Sequence, residues 1–222
     1  MTIALGVLVS GSGTNLQAIL DAIALRTLDA RVAVVVSNVR HVEAIERARR
    51  AGVEAVVIEH TAFADRRAFD SRVVDTLRAR GVELVVLAGF MRIVTDVLLD
   101  AFPMRIINVH PALLPSFPGV HAPRQALAYG VRIAGCTVHF VDSGTDTGPI
   151  VAQAAVAVHD DDDEERLRNR ILAEEHALLP RVLQWIATGR VVIDPPASSA
   201  GRCRVLVRDM AAATGTRERQ EG

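Results

Sequence analysis

From Ile3 onward the chain alternates short, nearly unbroken apolar runs with longer stretches whose apolar residues recur at helical spacing. Ile3–Val9, Arg31–Ser37, Ala55–Ile58, Leu84–Ala88 and Arg105–Val109 are rich in Val, Ile and Leu with little polar alternation, the pattern of strands covered on both faces. Between them, Asn15–Leu25, Val42–Ala51, Asp65–Arg80 and Asp96–Ala101 have helix-forming composition. Gly52 and Gly81 stand where the second and third helices should stop. This alternation predicts an α/β fold, a doubly wound and mostly parallel sheet with right-handed crossovers. Ligands of such a sheet collect at the carboxyl ends of its strands.

After Val109 the texture changes. A Pro- and Gly-rich loop from His110 to Gly119 leads into a helical stretch near Pro123–Tyr129. Two strand-like runs follow, Ala134–Val141 and Pro149–Val158, split by Asp142–Gly148, and they read as antiparallel additions at the C-terminal side of the sheet. An acidic run from His159 to Glu165 precedes a long helical segment through Trp185 and Ile186. Negative charge there suits the positive end of the helix; metal binding by these aspartates is the lesser reading. The expected division is a domain over residues 1–195 and a polar, loosely ordered tail over 196–222, in which only Cys203–Val207 has strand-like composition.

Composition narrows the chemistry. The 222 residues carry a net charge of −1, which removes the positive excess that a nucleic-acid binder needs. All 25 basic side chains are arginine, so a lysine Schiff base or a Walker-type phosphate lysine is excluded. Two distant cysteines, Cys136 and Cys203, suit neither a disulfide framework nor a structural zinc site, and fit a reducing, cytoplasmic setting. Thr2–Val9 is too short and lacks the basic flank of a signal peptide, and no run approaches the length of a membrane span.

Two places carry candidate chemistry. Ser10-Gly-Ser-Gly-Thr-Asn-Leu16 directly follows the first strand and opens a helix. Its glycines let backbone N–H groups face an anion at the positive helix end, so a phosphate fits. Leu16 at the third glycine position, and the absence of an acid after Ser37-Asn38, disfavour a dinucleotide. The plainer alternative is a tight turn capped by Thr14 or Asn15.

Asn108 and His110 lie two residues apart at the end of the fifth strand, hence on one face. An imidazole there can move protons near neutral pH. A carboxamide can donate to an oxygen that becomes negative when a carbonyl turns tetrahedral, so the pair suits acyl transfer. A carboxylate should orient the imidazole and stabilise its charged form; Asp146 is the first choice and Asp142 the rival. A buried, hydrogen-bonded core histidine and an Asx turn are the plainer readings of the same residues.

Six blocks, in order, resemble the folate-dependent phosphoribosylglycinamide formyltransferases: Val9–Ala18, Leu87-Ala-Gly-Phe-Met-Arg-Ile93, Ile107-Asn-Val-His-Pro-Ala-Leu-Leu-Pro115, Pro118–Leu127, Gly135–Val141 and Asp146-Thr-Gly-Pro-Ile150. The likeness runs from residue 3 to about 190. It implies transfer of a formyl group from 10-formyltetrahydrofolate to the amine of glycinamide ribonucleotide, a purine-synthesis step needing no metal. It assigns catalysis to Asn108, His110 and Asp146, and substrate binding to Gly13, Thr14, Asn15 and Glu175. Folate contacts fall to Arg66, Met91, Arg92, Ile93, Val94, Asn108 and the Asp142-Ser143-Gly144-Thr145-Asp146 loop. Arg67 adjoins Arg66 and competes for that role. Leu172, where the family often has a polar or basic side chain, is a departure.

Three rival readings share parts of this pattern. A methionyl-tRNA formyltransferase would need a further RNA-binding domain with a basic surface. A formyltetrahydrofolate deformylase would need a preceding regulatory domain and has no phosphorylated acceptor for the glycine loop to hold. A non-catalytic folate or nucleotide module on the same fold would be expected to lack one of Asn108, His110 and Asp146. The expected partners are two small molecules, with no nucleic acid or membrane, and the chain is expected to be a monomer or homodimer.

Overall fold

The computed structural model describes residues 2–194 and 203–209. Seven strands form one sheet: β1 (Ile3–Val9), β2 (Ala30–Ser37), β3 (Ala55–Val57), β4 (Leu84–Leu87), β5 (Ile106–His110), β6 (Ile133–Phe140) and β7 (Ile150–Ala157). Their order is β3-β2-β1-β4-β5-β6-β7. The first five pair in parallel, and β6 and β7 add to the β5 edge antiparallel, as their textures predict. The helices are α1 (Thr14–Ala24), α2 (Glu43–Arg50), α3 (Arg66–Arg78), α4 (Asp96–Ala101), α5 (Ala122–Tyr129) and α6 (Glu164–Ala187).

Every residue of β1 is buried because both faces of the sheet are covered. Leu5, Val7 and Val9 pack with Leu16 and Ile19 of α1 and with Ile171, Leu178 and Val182 of α6. Leu8 faces the other layer, with Phe69, Val73 and Leu77 of α3 and Leu98 of α4. Gly6 permits that second contact, since a Cβ there would lie 2.5 Å from the Leu77 side chain. The edge strand β7 alternates between buried and accessible positions, as a strand with one open face should.

The acidic run before α6 forms a charge-paired cap. The Asp163 side chain accepts from Arg166 N–H at 2.8 Å, and Asp162 takes two hydrogen bonds from Arg170, which hold its carboxyl below the usual range. Asp160 pairs with Arg132 and Asp161 with Arg166. Among the described residues no group of three or more His, Cys, Asp or Glu is placed to hold a metal ion.

Beyond α6 the structure departs from the expected elements. A strand β8 (Val191–Asp194) pairs antiparallel with β9 (Arg204–Val207) in a separate two-stranded sheet. Four residues following a helix stop carry too little periodicity to announce β8. Val205 and Val207 pack against the main core. The rest of the 196–222 segment lies outside the described residues. A single 3₁₀ turn at His60–Ala62 also has no counterpart among the expected elements.

Strand order reverses between β1 and β4: the chain moves outward through β2 and β3, then returns to the other side of β1. At that switch point the loops after β1 and β4 lie side by side, with Ser10 N–H donating to the Gly89 carbonyl at 3.1 Å. This crevice is where doubly wound sheets take their ligands.

Candidate active site

The glycine loop after β1 is held from two sides. On the α2 side, Ala44 N–H donates to the Gly11 carbonyl at 3.2 Å and Arg47 Nε donates to the Ser12 carbonyl at 2.8 Å. Gly13 has φ 69° and rests directly on α2; a Cβ there would lie 2.6 Å from Ala44 Cβ. On the α6 side, Asn15 Nδ2 donates to Glu175 Oε2 at 2.7 Å, with both side chains buried. Burial pushes the Glu175 carboxyl up, and the Asn15 hydrogen bond partly opposes it. Neither Thr14 nor Asn15 caps the helix; the capping position is Gly13, which has no side chain. Among the described residues, the backbone N–H groups of Ser12, Gly13, Thr14 and Asn15 meet no protein acceptor. Four free donors at the positive end of a helix are an anion cradle.

Asn108 and His110, on β5, face Asp146 in the loop between β6 and β7. His110 is 4% exposed, and its Nε2 lies 2.8 Å from the Phe117 carbonyl. A carbonyl can only accept, so Nε2 carries a proton and Nδ1 is the nitrogen that gains or loses one. Nδ1 lies 3.4 Å from Asp146 Oδ2. The same Oδ2 accepts Gly119 N–H at 2.7 Å, while Oδ1 faces Asn108 Nδ2 at 3.5 Å. The carboxylate therefore sits between the imidazole and the carboxamide, its position fixed by a loop backbone. Asp142 does not compete. It accepts from Gly144 N–H and Thr147 Oγ1 at 3.1 and 2.7 Å, so it builds the turn that carries Asp146, whose own φ is 54°.

A fourth polar group, absent from the sequence-based expectations, completes the cluster. The register of β5 and β6 sets Asn108 opposite His139 and His110 opposite Thr137. His139 Nδ1 donates to the Phe140 carbonyl at 2.8 Å, leaving Nε2 to accept from Asn108 Nδ2 at 3.1 Å. Burial lowers the His139 pKa, and the Phe140 hydrogen bond and the Asp146 charge oppose it only in part, so the ring is neutral and able to accept. Thr137 Oγ1 donates to the Ala112 carbonyl and accepts Leu114 N–H, tying down the loop that follows β5. The signal in the sequence was two polar residues spaced by two on an otherwise apolar strand, matching Asn108 and His110.

Beside this cluster, the predicted folate-contact residues Arg66, Ile93, Val94 and Ser143 line a cavity of about 510 Å³, together with Asp65, Arg67, Thr95 and others. Arg67 is paired with Asp96, whereas Arg66 has no carboxylate partner among the described residues. Met91 and Ile93 are strongly exposed apolar side chains, and Arg92 lies over the Phe69 ring at 5.0 Å, so it is committed to packing. Met91 N–H donates to Ser10 Oγ at 2.9 Å, joining this segment to the glycine loop. Ser143, Gly144 and Thr145 are exposed on the Asp142–Asp146 loop. Leu172, on α6 one turn before Glu175, offers no polar atom.

The Formyl transferase family profile matches residues 3–183. The chain is 44% identical over 195 residues to the trifunctional purine biosynthetic protein adenosine-3 of Drosophila melanogaster, covering 87% of this chain but only 14% of that protein. It is 40% identical over 185 residues to the phosphoribosylglycinamide formyltransferase of Escherichia coli, covering 83% of this chain and 87% of that one. Among solved structures, glycinamide ribonucleotide transformylase 1 from Symbiobacterium toebii superposes with a TM-score of 0.89 at 53% identity, over 94% of this chain and 95% of the other.

Proposed function

The chain belongs to the formyl transferase family, and from that premise we propose that it transfers the formyl group of 10-formyltetrahydrofolate to the amine of glycinamide ribonucleotide, a step of purine biosynthesis. Relatives are named for formyl transfer to glycinamide ribonucleotide, which supports the reading. The observation that carries the reading is the convergence of Asn108, His110 and Asp146 on the same sheet edge as an anion cradle at the start of α1.

In this reading Gly13, Thr14 and Asn15 hold the substrate phosphate through free backbone donors, and Glu175 takes hydrogen bonds from the same substrate. The amine attacks the formyl carbon, forming a C–N bond and a tetrahedral centre whose oxygen becomes negative. Asn108 Nδ2 and the protonated His110 Nδ1 donate to that oxygen. Collapse of the centre breaks the bond to the folate nitrogen. His110 Nδ1 gives its proton to that departing nitrogen and then takes back the proton lost by the amine, directly or through one water, so no proton is gained or lost overall. Asp146 stabilises the imidazolium form by charge. His139 is a positioning residue: by accepting one N–H of Asn108 it fixes the carboxamide beside Asp146 and the reacting centre, where the other N–H leaves its long contact with Asp146 for the developing oxyanion.

The formyl donor occupies the cavity beside Arg66, Ile93 and Val94, against Met91, Arg92 and the Asp142–Asp146 loop. Arg66 rather than Arg67 meets its acidic tail, because Arg67 is already neutralised by Asp96. No helix among the described residues is long and apolar enough to cross a membrane, and we place the protein in the cytoplasm, as a monomer or homodimer acting on small molecules. Residues 1–195 are read as the formyltransferase domain, with 196–222 as its polar tail.

The test is an absorbance assay of the folate in purified protein, with and without glycinamide ribonucleotide. Conversion that depends on the ribonucleotide is expected. Conversion that proceeds equally without it would replace transfer by hydrolysis.

A further inference from the structure

We propose that Arg47, on α2 and outside the reacting centre, is a positioning residue that sets the affinity of the glycine loop for the substrate phosphate. The inference rests on the phosphate role assigned to that loop above.

In a trans peptide the C=O and the following N–H point in opposite directions, so whatever holds a carbonyl also aims the next amide. The Gly11 carbonyl is held by Ala44 N–H, which turns the Ser12 N–H away from α2. The Ser12 carbonyl is held by Arg47 Nε at 2.8 Å, which turns the Gly13 N–H the same way. Both amides then face the side on which Thr14 and Asn15 present theirs. Gly13, with its positive φ and its Cα against Ala44, lets the loop lie flat enough for these two bonds to form together.

The two holding bonds differ in kind. Ala44 N–H is a main-chain donor in the first turn of α2, which side-chain substitutions leave in place. The Arg47 bond is made by a side chain, and a charged donor makes a stronger bond than a neutral one. Arg47 is itself fixed: Nη1 donates to Gln17 Oε1 at 3.2 Å, bracing the guanidinium against α1. That leaves Nη2 without an acceptor among the described residues, so the cation is not cancelled by a carboxylate and adds its field to the positive end of α1. Arg49 and Arg50 on the same helix are by contrast paired with Glu46 and Glu43. Arg47, Thr14 and His176 also line one groove between α1 and α6; burial lowers the His176 pKa and the Arg47 charge adds to it, so the uncompensated charge is felt within that groove.

The experiment uses the full chain and two readouts, calorimetric titration with ribose 5-phosphate and steady-state kinetics with both substrates. Arg47→Gln should weaken ribose 5-phosphate binding at least fivefold and raise the KM for glycinamide ribonucleotide by a similar factor. The KM for the formyl donor and kcat should stay within twofold. Arg47→Lys, which keeps the charge without the braced fork, should recover part of the loss, and Arg49→Gln should behave as wild type. Unchanged ribose 5-phosphate affinity in a folded Arg47→Gln overturns the proposal. A parallel rise in both KM values with a lowered melting temperature also overturns it, since that is the mark of a purely structural arginine. Failure of the wild-type protein to bind ribose 5-phosphate would instead remove the phosphate reading of the loop, and this inference with it.

Discussion

Replacing Asp146 by Asn changes one charge and almost no volume, so it isolates the electrostatic part of the proposed mechanism. Its Oδ2 lies 3.4 Å from His110 Nδ1. At an effective dielectric of about 20, an imidazolium and a carboxylate at that separation attract by about 5 kcal/mol. The Asp146 side chain keeps 13% of its exposure, and an amide oxygen retains part of the favourable dipole, so we take about half, roughly 2–3 kcal/mol, as the net loss. At 1.36 kcal/mol per decade this is a fall in kcat of about 30- to 150-fold. The substituted carboxamide can still accept Gly119 N–H through its oxygen, which fixes its rotamer, so the melting temperature should move little. Its NH₂ then points toward Asn108 Nδ2, a donor against a donor, which adds to the loss. The folate absorbance assay at saturating concentrations of both substrates reads kcat directly. A folded Asp146→Asn variant with kcat within threefold of wild type would refute the role given to the carboxylate.

Burial raises the Glu175 carboxyl, so the unfolded chain gives up that proton first as pH climbs. The group therefore costs stability as pH rises above its ordinary value toward its folded one. Glu175→Gln should raise the melting temperature at pH 7–8 and flatten that slope while weakening acceptor binding; an unchanged slope in thermal scans would contradict this. His139 is shifted down by burial, so below its ordinary value of about 6.5 the unfolded chain takes the proton first and stability falls with acidification. His139→Asn should flatten that acid-side loss and lower kcat about tenfold by freeing Asn108, and a wild-type-like kcat would remove His139 from the site. Arg66→Ala should raise the KM for the formyl donor about tenfold, while Arg67→Ala, which only breaks the exposed pair with Asp96, should change it less than threefold. The reverse order would move the folate contact to Arg67. Gly13→Ala places a Cβ 2.6–2.7 Å from Ala44 atoms at φ 69°, a strain of about 1 kcal/mol or more before any clash is counted. It should lower the melting temperature and raise the acceptor KM at least tenfold; normal KM values would show that the loop adapts.

What the chain declares without its fold is whatever depends on local periodicity and on contiguous residues. Two-faced burial leaves unbroken apolar strands, so β1 to β5 and the helices between them stand within a residue or two of their expected bounds. Alternate spacing at a strand end put Asn108 and His110 on one face before any coordinates. The glycine loop was visible because the requirement for free amides and a positive φ is met within a few consecutive residues. Relations across the sheet were not visible. His139 reaches Asn108 through an antiparallel register that no local pattern states, since a slip of one residue would turn it to the other face. Asp142 and Asp146 look alike in sequence, and only the turn assigns one to building the loop and the other to the site. Arg66 and Arg67 are neighbours, and only packing pairs one of them, Arg67, with a carboxylate on another helix. Arg47 likewise carries no mark as a loop-holding group until α2 is packed against the loop after β1. Side chains from distant segments acquire partners only on packing, and partnership, rather than residue type, decides which carboxylate or guanidinium is left free to act.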